Sequence, residues 1–413
     1  MPGAMKSMIV IGAGLVGAAS ALQLQARGVA VTLIDPGDMR RAASFGNAGH
    51  IGVEQVLPWS MWSYALSFPS RLFGLGGPLD FRWRDVGRWL PWSLRYLAAC
   101  EPGQFARGQA ALSDILNDAM GAWRRLETLA DMPGMVRPHG QSNLYMSQAA
   151  GEAAQRAYAK TPIGQARVRD MTSAELDRYT RVLKARPASG LHFDGTGQVS
   201  DPQGAREAIL KKFTALGGEL VADKVVSLAP NGRVRLQGGS ERQGDGVLVA
   251  AGAWSAPLLQ PFGVNAPLIG ERGYSMQSLE HDWPEDLPTT IFEERAVVLS
   301  RFTSGLRTTS FLEFGDPSAP PDPRKWARLH QHLDELGVKF SSAPDRWCGP
   351  RPTLPDYVPA IGRLERAPQV FYAFGHAHLG LTMSAITGEV IAALASEAPA
   401  PFDLKPFAIE RFD

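Results

Sequence analysis

The chain has 413 residues, 45% of them hydrophobic and 20% charged, with 42 Lys and Arg against 41 Asp and Glu for a formal net charge of +1. This length exceeds one ordinary core of about 100–150 residues and predicts two domains, while the apolar content excludes a disordered chain. The balanced charge leaves no electrostatic footprint for nucleic acid. Cys100 and Cys348, the only cysteines, are too few and too isolated for a disulfide framework or a zinc site, which predicts a reducing, cytoplasmic setting and no bound metal. Residues 1–7 lead directly into an apolar strand, so no signal peptide is expected, and no run of about 20 unbroken apolar residues spans a bilayer.

In chain order, residues 8–12 read as an apolar strand, 15–25 have helical spacing of Leu, Val and Ala, and 29–34 form a second strand ahead of Asp35, giving a βαβ unit. From 53 to 100 the composition changes. Trp59, Trp62, Trp83, Trp89 and Trp92, half of the chain's 10 tryptophans, are interrupted there by Pro and Gly. Residues 104–132 are predicted helical, with Leu112, Ile115, Leu116, Ala119, Trp123 and Leu126 on one face, until Pro133 and Gly134 stop the run. A strand is expected at 137–146 and an amphipathic helix at 201–216, closed by Gly217 and Gly218. Strands at 219–226, 233–237 and 246–251 together read as the second half of a nucleotide-binding sheet. A hairpin of 292–302 with 306–314, a helix at 323–336, a strand at 370–374 and a final helix at 383–396 follow. Nucleotide-binding elements thus occur at the start, middle and end of the chain, so the two domains are expected to interleave.

The sharpest motif is Ile9-Val10-Ile11-Gly12-Ala13-Gly14-Leu15-Val16-Gly17, with Asp35 and Pro36 at the end of the next strand. Gly12 allows the tight turn, Gly14 lets backbone approach a pyrophosphate, and Gly17 lets helix and strand pack closely. Leu15 and Val16 open a helix whose N-terminus stabilises phosphate charge, and Asp35 can accept hydrogen bonds from a ribose diol. Two further stretches have the small residues that close backbone contact with a flat ring requires. They are Ser44-Phe45-Gly46-Asn47-Ala48-Gly49-His50 and Phe374-Gly375-His376-Ala377-His378-Leu379-Gly380-Leu381-Thr382-Met383, the second opening a helix whose free amides stabilise negative charge. Either is equally an ordinary turn; together they argue for a cofactor longer than a mononucleotide.

With Asp201-Pro202, Val247 to Ser255, Gly273-Tyr274-Ser275 and Gly349-Pro350-Arg351-Pro352 with Asp356, Pro359 and Gly362, these motifs cover nearly the whole chain. They resemble the glycine oxidase, sarcosine oxidase and D-amino-acid dehydrogenase group of FAD-dependent amine oxidoreductases. The Ser44–Gly49 loop is most similar to bacterial D-amino-acid dehydrogenases, including the branch that takes D-hydroxyproline. The resemblance implies an α/β fold with a Rossmann-type FAD-binding domain (1–55, 195–262 and 346–413) interleaved with an α+β substrate domain built on an antiparallel sheet (56–194 and 263–345).

Position by position, the resemblance implies that Val225 holds the adenine through its backbone and that Ala251 and Gly252, followed by Trp254, run along the pyrophosphate. Asn47, Ala48 and Gly49 lie beside the flavin ring, and Leu379, Gly380, Leu381 and Thr382 lie at its pyrimidine edge. Arg351 matches the arginine that holds the substrate carboxylate, where a planar bidentate cation orients the α-carbon toward flavin N5; the plainer reading is a structural arginine paired with Asp356 or a carbonyl. His50 is expected as a pocket wall and His378 as a flavin neighbour, with His376 as a further candidate and no proton-transfer role assigned, since hydride transfer from the α-carbon to N5 needs no obligatory protein base.

Relatives often carry a tyrosine on the strand 292–302 that supports the carboxylate, whereas this sequence reads Phe292-Glu293-Glu294-Arg295-Ala296-Val297. Tyr274 or Arg295 is the expected substitute, and Arg307 is a further cation facing either the pocket or a solvated strand edge. The tryptophan-rich block 59–92 is open to three readings: a pocket lid, an interface for a partner subunit, or a surface peripheral to the inner membrane, with Arg82, Arg84, Arg88 and Arg95 near headgroups. The implied activity is FAD-dependent dehydrogenation of a D-amino acid or a cyclic secondary amino acid such as D-proline, with quinone, an electron-transfer partner or oxygen as acceptor. The alternatives are a glycine or sarcosine oxidase using oxygen, and a flavin-holding subunit inactive outside a heteromeric complex. Cys348, beside the Arg351 motif, is a candidate for covalent flavin linkage.

Overall fold

A computed structural model describes residues 4–413. Its central sheet has six strands in the order Glu219–Ala222, Ala30–Asp35, Ser7–Ile11, Gly246–Val249, Ala367–Phe374 and Ala360–Leu364. All pairs are parallel except the last, which is antiparallel. Ile9, Val10, Ile11, Val247, Leu248 and Val249 are all buried, as strands covered on both faces require. Helices Leu15–Ala26 and Gly380–Ala395 cross on one face so closely that a Cβ on Gly388 would stand 2.9 Å from the Ala19 backbone. The stretch Ala377–Ala395 is long and apolar enough to cross a membrane, yet 78% of its apolar window is buried inside the fold, where it packs as a core helix.

The second large sheet runs Asp345–Thr353, Ile269–Ser278, Gly305–Gly315, Val297–Phe302, Thr289–Phe292, Gln141–Tyr145, Ser189–Asp194 and Arg167–Asp170, with Leu79–Phe81 pairing beside Gly305–Gly315. It is antiparallel apart from the pairing of Thr289–Phe292 with Gln141–Tyr145 and that of Leu79–Phe81. The fold is therefore the interleaved α/β arrangement expected.

Several segments depart from the sequence reading. Residues 219–226 are not one strand: Glu219–Ala222 ends the parallel sheet, and Val225–Leu228 turns away into a separate antiparallel sheet with Arg233–Leu236 and Glu241–Gln243. Asp223, accepting from the amides of Lys224 and Gly238, forms that corner. Strand Asp345–Thr353 belongs to the antiparallel sheet through its pairing with Ile269–Ser278, rather than to the nucleotide-binding part. Helices Pro102–Asn117 and Ala119–Leu129 bury Ile115, Trp123 and Leu126 in the same core as Leu22 and Ile386, against the nucleotide-binding part, because the Trp123 indole donates to Leu381 O at 2.9 Å. The expected strand 292–302 is interrupted by a turn at Glu293–Arg295 that ends on Ala296 in left-handed conformation.

The antiparallel sheet is pinned to helix Pro323–Leu336 by a buried charge cluster. Lys325 is fully buried, and its Nζ donates to Asp80 Oδ2 and Glu313 Oε2 at 2.5 Å each, while Arg272 pairs with Glu313 at 2.9 Å. Asp80, Glu313 and Asp322 thus gather around an ammonium. Removing one partner strands the others in a low-dielectric site, so Lys325→Met should lower the unfolding free energy by about 3–5 kcal/mol, read from denaturant unfolding of the holoprotein.

Candidate functional site

One cavity of about 1740 Å³ runs between the two sheets, well above the roughly 300–1,000 Å³ of a site for one small ligand. At one end is the glycine turn. Gly12 has φ +102°, and a Cβ there would stand 2.6 Å from Ala250 O; a Cβ on Gly17 would stand 1.9 Å from Gly12 O. No side chain fits at either place, so the helix start sits directly above the strand end, as a phosphate cradle needs. Gly12, Gly14, Leu15, Val16, Asp35 and Pro36 line the cavity, whereas Gly17 is packed behind it. Asp35 Oδ2 accepts from the Ala13 amide at 2.7 Å and Oδ1 from the Gly37 amide at 2.8 Å, which fixes the carboxylate at the cavity edge. Val225, Ala251, Gly252 and Trp254 line the same end, with the Arg41 guanidinium 5.2 Å above the Trp254 ring.

Ser44, Asn47, Ala48, Gly49 and His50 form the middle of the wall. Asn47 spends its side chain on the loop itself, donating to Ser44 O and accepting from Gly49 N. From outside, Ser300 Oγ donates to Ala48 O at 2.7 Å and Arg307 Nη1 donates to Phe45 O and Asn47 O at 3.0 and 2.8 Å. Arg307 therefore faces neither pocket nor solvent: it is buried, its remaining nitrogens bind Gln277, and burial lowers its pKa to about 10. The loop meets the last helix through Thr382 Oγ1, which accepts from Gly52 N at 3.0 Å and donates to His50 O at 3.2 Å. His378, Leu379, Gly380, Leu381 and Thr382 all line the cavity. These surfaces suit a long dinucleotide with a flat ring, in shape and in donor chemistry.

Arg351 lines the cavity with its side chain 21% exposed. Its Nη1 donates to Glu271 Oε1 at 3.3 Å and to Phe311 O at 3.1 Å, and a Cβ on Gly273 would stand 2.4 Å from Nη2, so the guanidinium lies flat on the strand where Gly273 has no side chain. Glu271 is fully buried. Burial pushes its carboxyl up, while Arg351, Tyr357 at 3.1 Å and Thr353 at 3.4 Å pull it back toward the ionised form. Asp356, the partner expected from sequence, is bound to Arg411 instead at 2.7 Å.

Tyr274 does not line the cavity, contrary to expectation. It sits next to Gly273 on the strand, so the pleat turns it to the opposite face. There its hydroxyl lies 3.2 Å from both Glu313 oxygens and accepts from Asp322 N at 2.9 Å, and burial raises its pKa. Arg295 is also elsewhere, bound to His332 and Glu335. Cys348 lies off the cavity against Arg272 Nη2, which removes the geometric reason for a covalent link.

Burial lowers the His376 pKa to about 3, and its Nε2 lies 3.1 Å from Thr387 Oγ1. Burial, reinforced by the charge of Arg351, also lowers His378 to about 3; neither of its ring nitrogens has a partner, and Trp59 stacks on the ring at 3.8 Å and 18°. Both are weak bases and stay neutral near pH 7. His50 Nδ1 lies 3.2 Å from Gly197 O and Nε2 3.0 Å from Glu54 Oε1. Trp59, Trp83, Trp89 and Trp92 cover one side of the cavity. Sequence reasoning missed Glu54, Asn143, Tyr158, Glu293 and Tyr357, which also line it. A Glu in an otherwise apolar segment, as at 54, was the one available signal.

The sequence matches the FAD dependent oxidoreductase family over residues 7–394. It is 30% identical to the D-amino-acid oxidase of Bradyrhizobium diazoefficiens over 418 residues, 98% of this chain and 99% of that one. It is 31% identical to the D-amino acid dehydrogenase of Dechloromonas aromatica over 431 residues, covering 96% and 99%. In three dimensions it resembles the crystal structure of glycine oxidase from Geobacillus kaustophilus with a TM-score of 0.70 at 20% identity over 97% of each chain.

Two substitutions test the cradle independently of Arg351. Asp35→Ala should weaken retention of FAD by removing the anchor of the glycine turn, and Arg307→Met should do so by freeing the loop carbonyls of Phe45 and Asn47. The flavin-to-protein absorbance ratio after exhaustive dialysis checks both, with a lower ratio than wild type expected in each case.

Proposed function

We propose, from the premise that this chain belongs to the FAD dependent oxidoreductase family and is a flavoenzyme acting on the amino group of amino acids, that it dehydrogenates D-amino acids held by Arg351. The observation that carries this reading is the placement of Arg351. Its guanidinium is held from behind by Glu271 and the Phe311 carbonyl, and its open edge faces the cavity whose wall carries the Ser44–Gly49 loop and the start of helix Gly380–Ala395. Bound FAD supplies the two-electron oxidant.

Arg351 receives the substrate carboxylate through charge-assisted, bidentate hydrogen bonds and so anchors one of the four substituents of the α-carbon. Trp59, stacked on His378, closes the wall beside it and excludes water, which strengthens the ion pair. The neutral rings of His376 and His378 leave the substrate amine free of a competing cation. The product is an imine, which water hydrolyses to the oxo acid and ammonia, or which persists as a ring when the substrate is a cyclic acid such as D-proline or D-hydroxyproline.

Quinone or another membrane-borne acceptor is favoured over oxygen by the outer face of the aromatic block. Helix Val86–Ala99 buries Trp92 and turns Val86, Leu90, Leu94 and Leu97 outward in one stripe that follows Trp83, which is 81% exposed. Arg84 and Arg88, the latter paired with Asp316 at 3.5 Å, neighbour that stripe in sequence, and an exposed apolar stripe with a basic neighbour suits the headgroup boundary of an anionic bilayer. The face is thus proposed as a peripheral membrane contact near the cavity mouth, which Trp83, Trp89 and Leu97 also line.

Arg351→Ala should raise KM for D-amino acids at least about 100-fold while the flavin stays bound, since a charged hydrogen-bonded pair is lost and no cofactor contact is touched; unchanged kinetics would refute the role. Sedimentation with anionic phospholipid vesicles should retain the wild type and release Leu90→Glu/Leu94→Glu. Oxygen uptake well below dye reduction during turnover should mark it as a dehydrogenase.

A further inference from the structure

Strand pairing places Arg351 in a row of side chains. Arg351 lies opposite Glu271, Glu271 opposite Phe314, and Phe314 opposite Phe81, across four neighbouring strands. Directly paired residues point to one face of a sheet, so the row passes from a guanidinium through a carboxylate to two aromatic rings, which stack at 5.2 Å and 16°. The adjacent Glu313 and Asp80 point to the opposite face, where Lys325 binds both. Three interstrand spacings make the row about 14 Å long. The guanidinium does not stay at its own end of it. By reaching Phe311 O at 3.1 Å it crosses to the strand that carries Phe314, three residues or about 10 Å further along.

Helix Val86–Ala99 roofs this row. Trp92 packs on Phe314 with ring centres 5.1 Å apart, Trp89 packs on Phe81 at 5.0 Å, and Tyr357 stands 6.2 Å from Trp92 and 5.9 Å from Trp59. All six of these aromatic residues line the cavity, and Trp59, Phe81 and Trp89 are only half-buried. Their polar tips are turned away from it: the Trp89 indole donates to Arg82 O at 2.8 Å, that of Trp92 to Thr353 O at 3.2 Å, and the Tyr357 hydroxyl to Glu271 at 3.1 Å. Glu271, the carboxylate of the row, is engaged by Arg351, Thr353 and Tyr357. What this arm offers a ligand is ring face and ring edge, the surface on which another aromatic ring packs offset or edge-on. Tyr357 fixes where the arm begins, because its hydroxyl shares Glu271 with Arg351 while its ring lies 6.3 Å from that of His378. Trp83, 81% exposed and 6.1 Å from Trp89, stands at the open end.

Resting on the D-amino acid reading above, we infer that the arm formed by Phe81, Trp89, Trp92, Phe314 and Tyr357 receives the substrate side chain and selects D-amino acids that carry an aromatic ring, of the D-phenylalanine or D-tryptophan type. The α-carboxylate meets Arg351, and the ring enters between the sheet row and the helix that roofs it. Full burial of a Phe-sized side chain is worth at least about tenfold in binding, a gain that a methyl side chain forgoes.

The test uses the FAD-loaded full chain. Values of kcat/KM are measured for D-phenylalanine, D-tryptophan, D-alanine and D-proline, and non-reacting 3-phenylpropanoate and propanoate are titrated through the flavin difference spectrum. The expected result is at least a tenfold preference for the two aromatic substrates over D-alanine and D-proline, and at least tenfold tighter binding of 3-phenylpropanoate than of propanoate. Both ratios should fall at least fivefold in Phe81→Ala and in Trp89→Ala, either of which suffices if the other does not fold. A smaller preference in either wild-type measurement overturns the selection and leaves the dehydrogenase reading standing. Ratios that fall less than fivefold in the folded variants overturn the assignment of the arm. Absence of flavin bleaching with all four amino acids overturns the underlying reading and this inference together.

Discussion

A guanidinium aimed into a largely apolar cavity is tolerable only if its charge is balanced from behind, and Glu271 does this for Arg351. The carboxylate is fully enclosed, yet three side chains donate to it, so the pair is satisfied without drawing on solvent. Gly273 contributes by absence, letting the guanidinium lie against the strand instead of swinging free. The direction from which an anion can approach is thereby set by the pairing register of two strands, with Glu271 opposite Arg351. The Ser44–Gly49 loop and the aromatic cover line the same cavity as this fixed group.

The nucleotide end was legible because its constraints are local. Gly12, Gly14, Gly17 and Asp35 lie within one βαβ unit, and the spacing alone dictates a tight turn over a helix start. The small-residue loops were legible for the same reason. What sequence did not disclose were pairings across long separations. Arg307 clamps a loop 262 residues earlier in the chain, and Glu271 supports an arginine 80 residues later. Tyr274 was misplaced because proximity along a strand says nothing about face: one step beyond Gly273 it belongs to the opposite side of the sheet and to the Lys325 cluster. Strand Asp345–Thr353, within the segment 346–413 expected in the nucleotide-binding part, pairs with Ile269–Ser278 of the antiparallel sheet, a partnership no local motif announces.

The aromatic block illustrates a limit of periodicity. A helix with one apolar stripe is ordinarily read with that stripe inward. In Val86–Ala99 large apolar residues stand on both sides, with Trp92 packing on Phe314 and Tyr357 while Leu90 and Leu94 face out. Composition registered the abundance of such residues but not their partition, which only the position of the sheet beneath them decides.

The order of strands in the central sheet carries a consequence for biosynthesis. Ala367–Phe374 lies between Gly246–Val249 and Ala360–Leu364, and the helix that covers Leu15–Ala26 is Gly380–Ala395. On the ribosome, the first βαβ unit therefore stays without its cover until residues 367–395 have been made, while the antiparallel sheet gathers its strand Asp345–Thr353 shortly before. Until those residues emerge, a nascent chain of this protein holds a half-built parallel sheet.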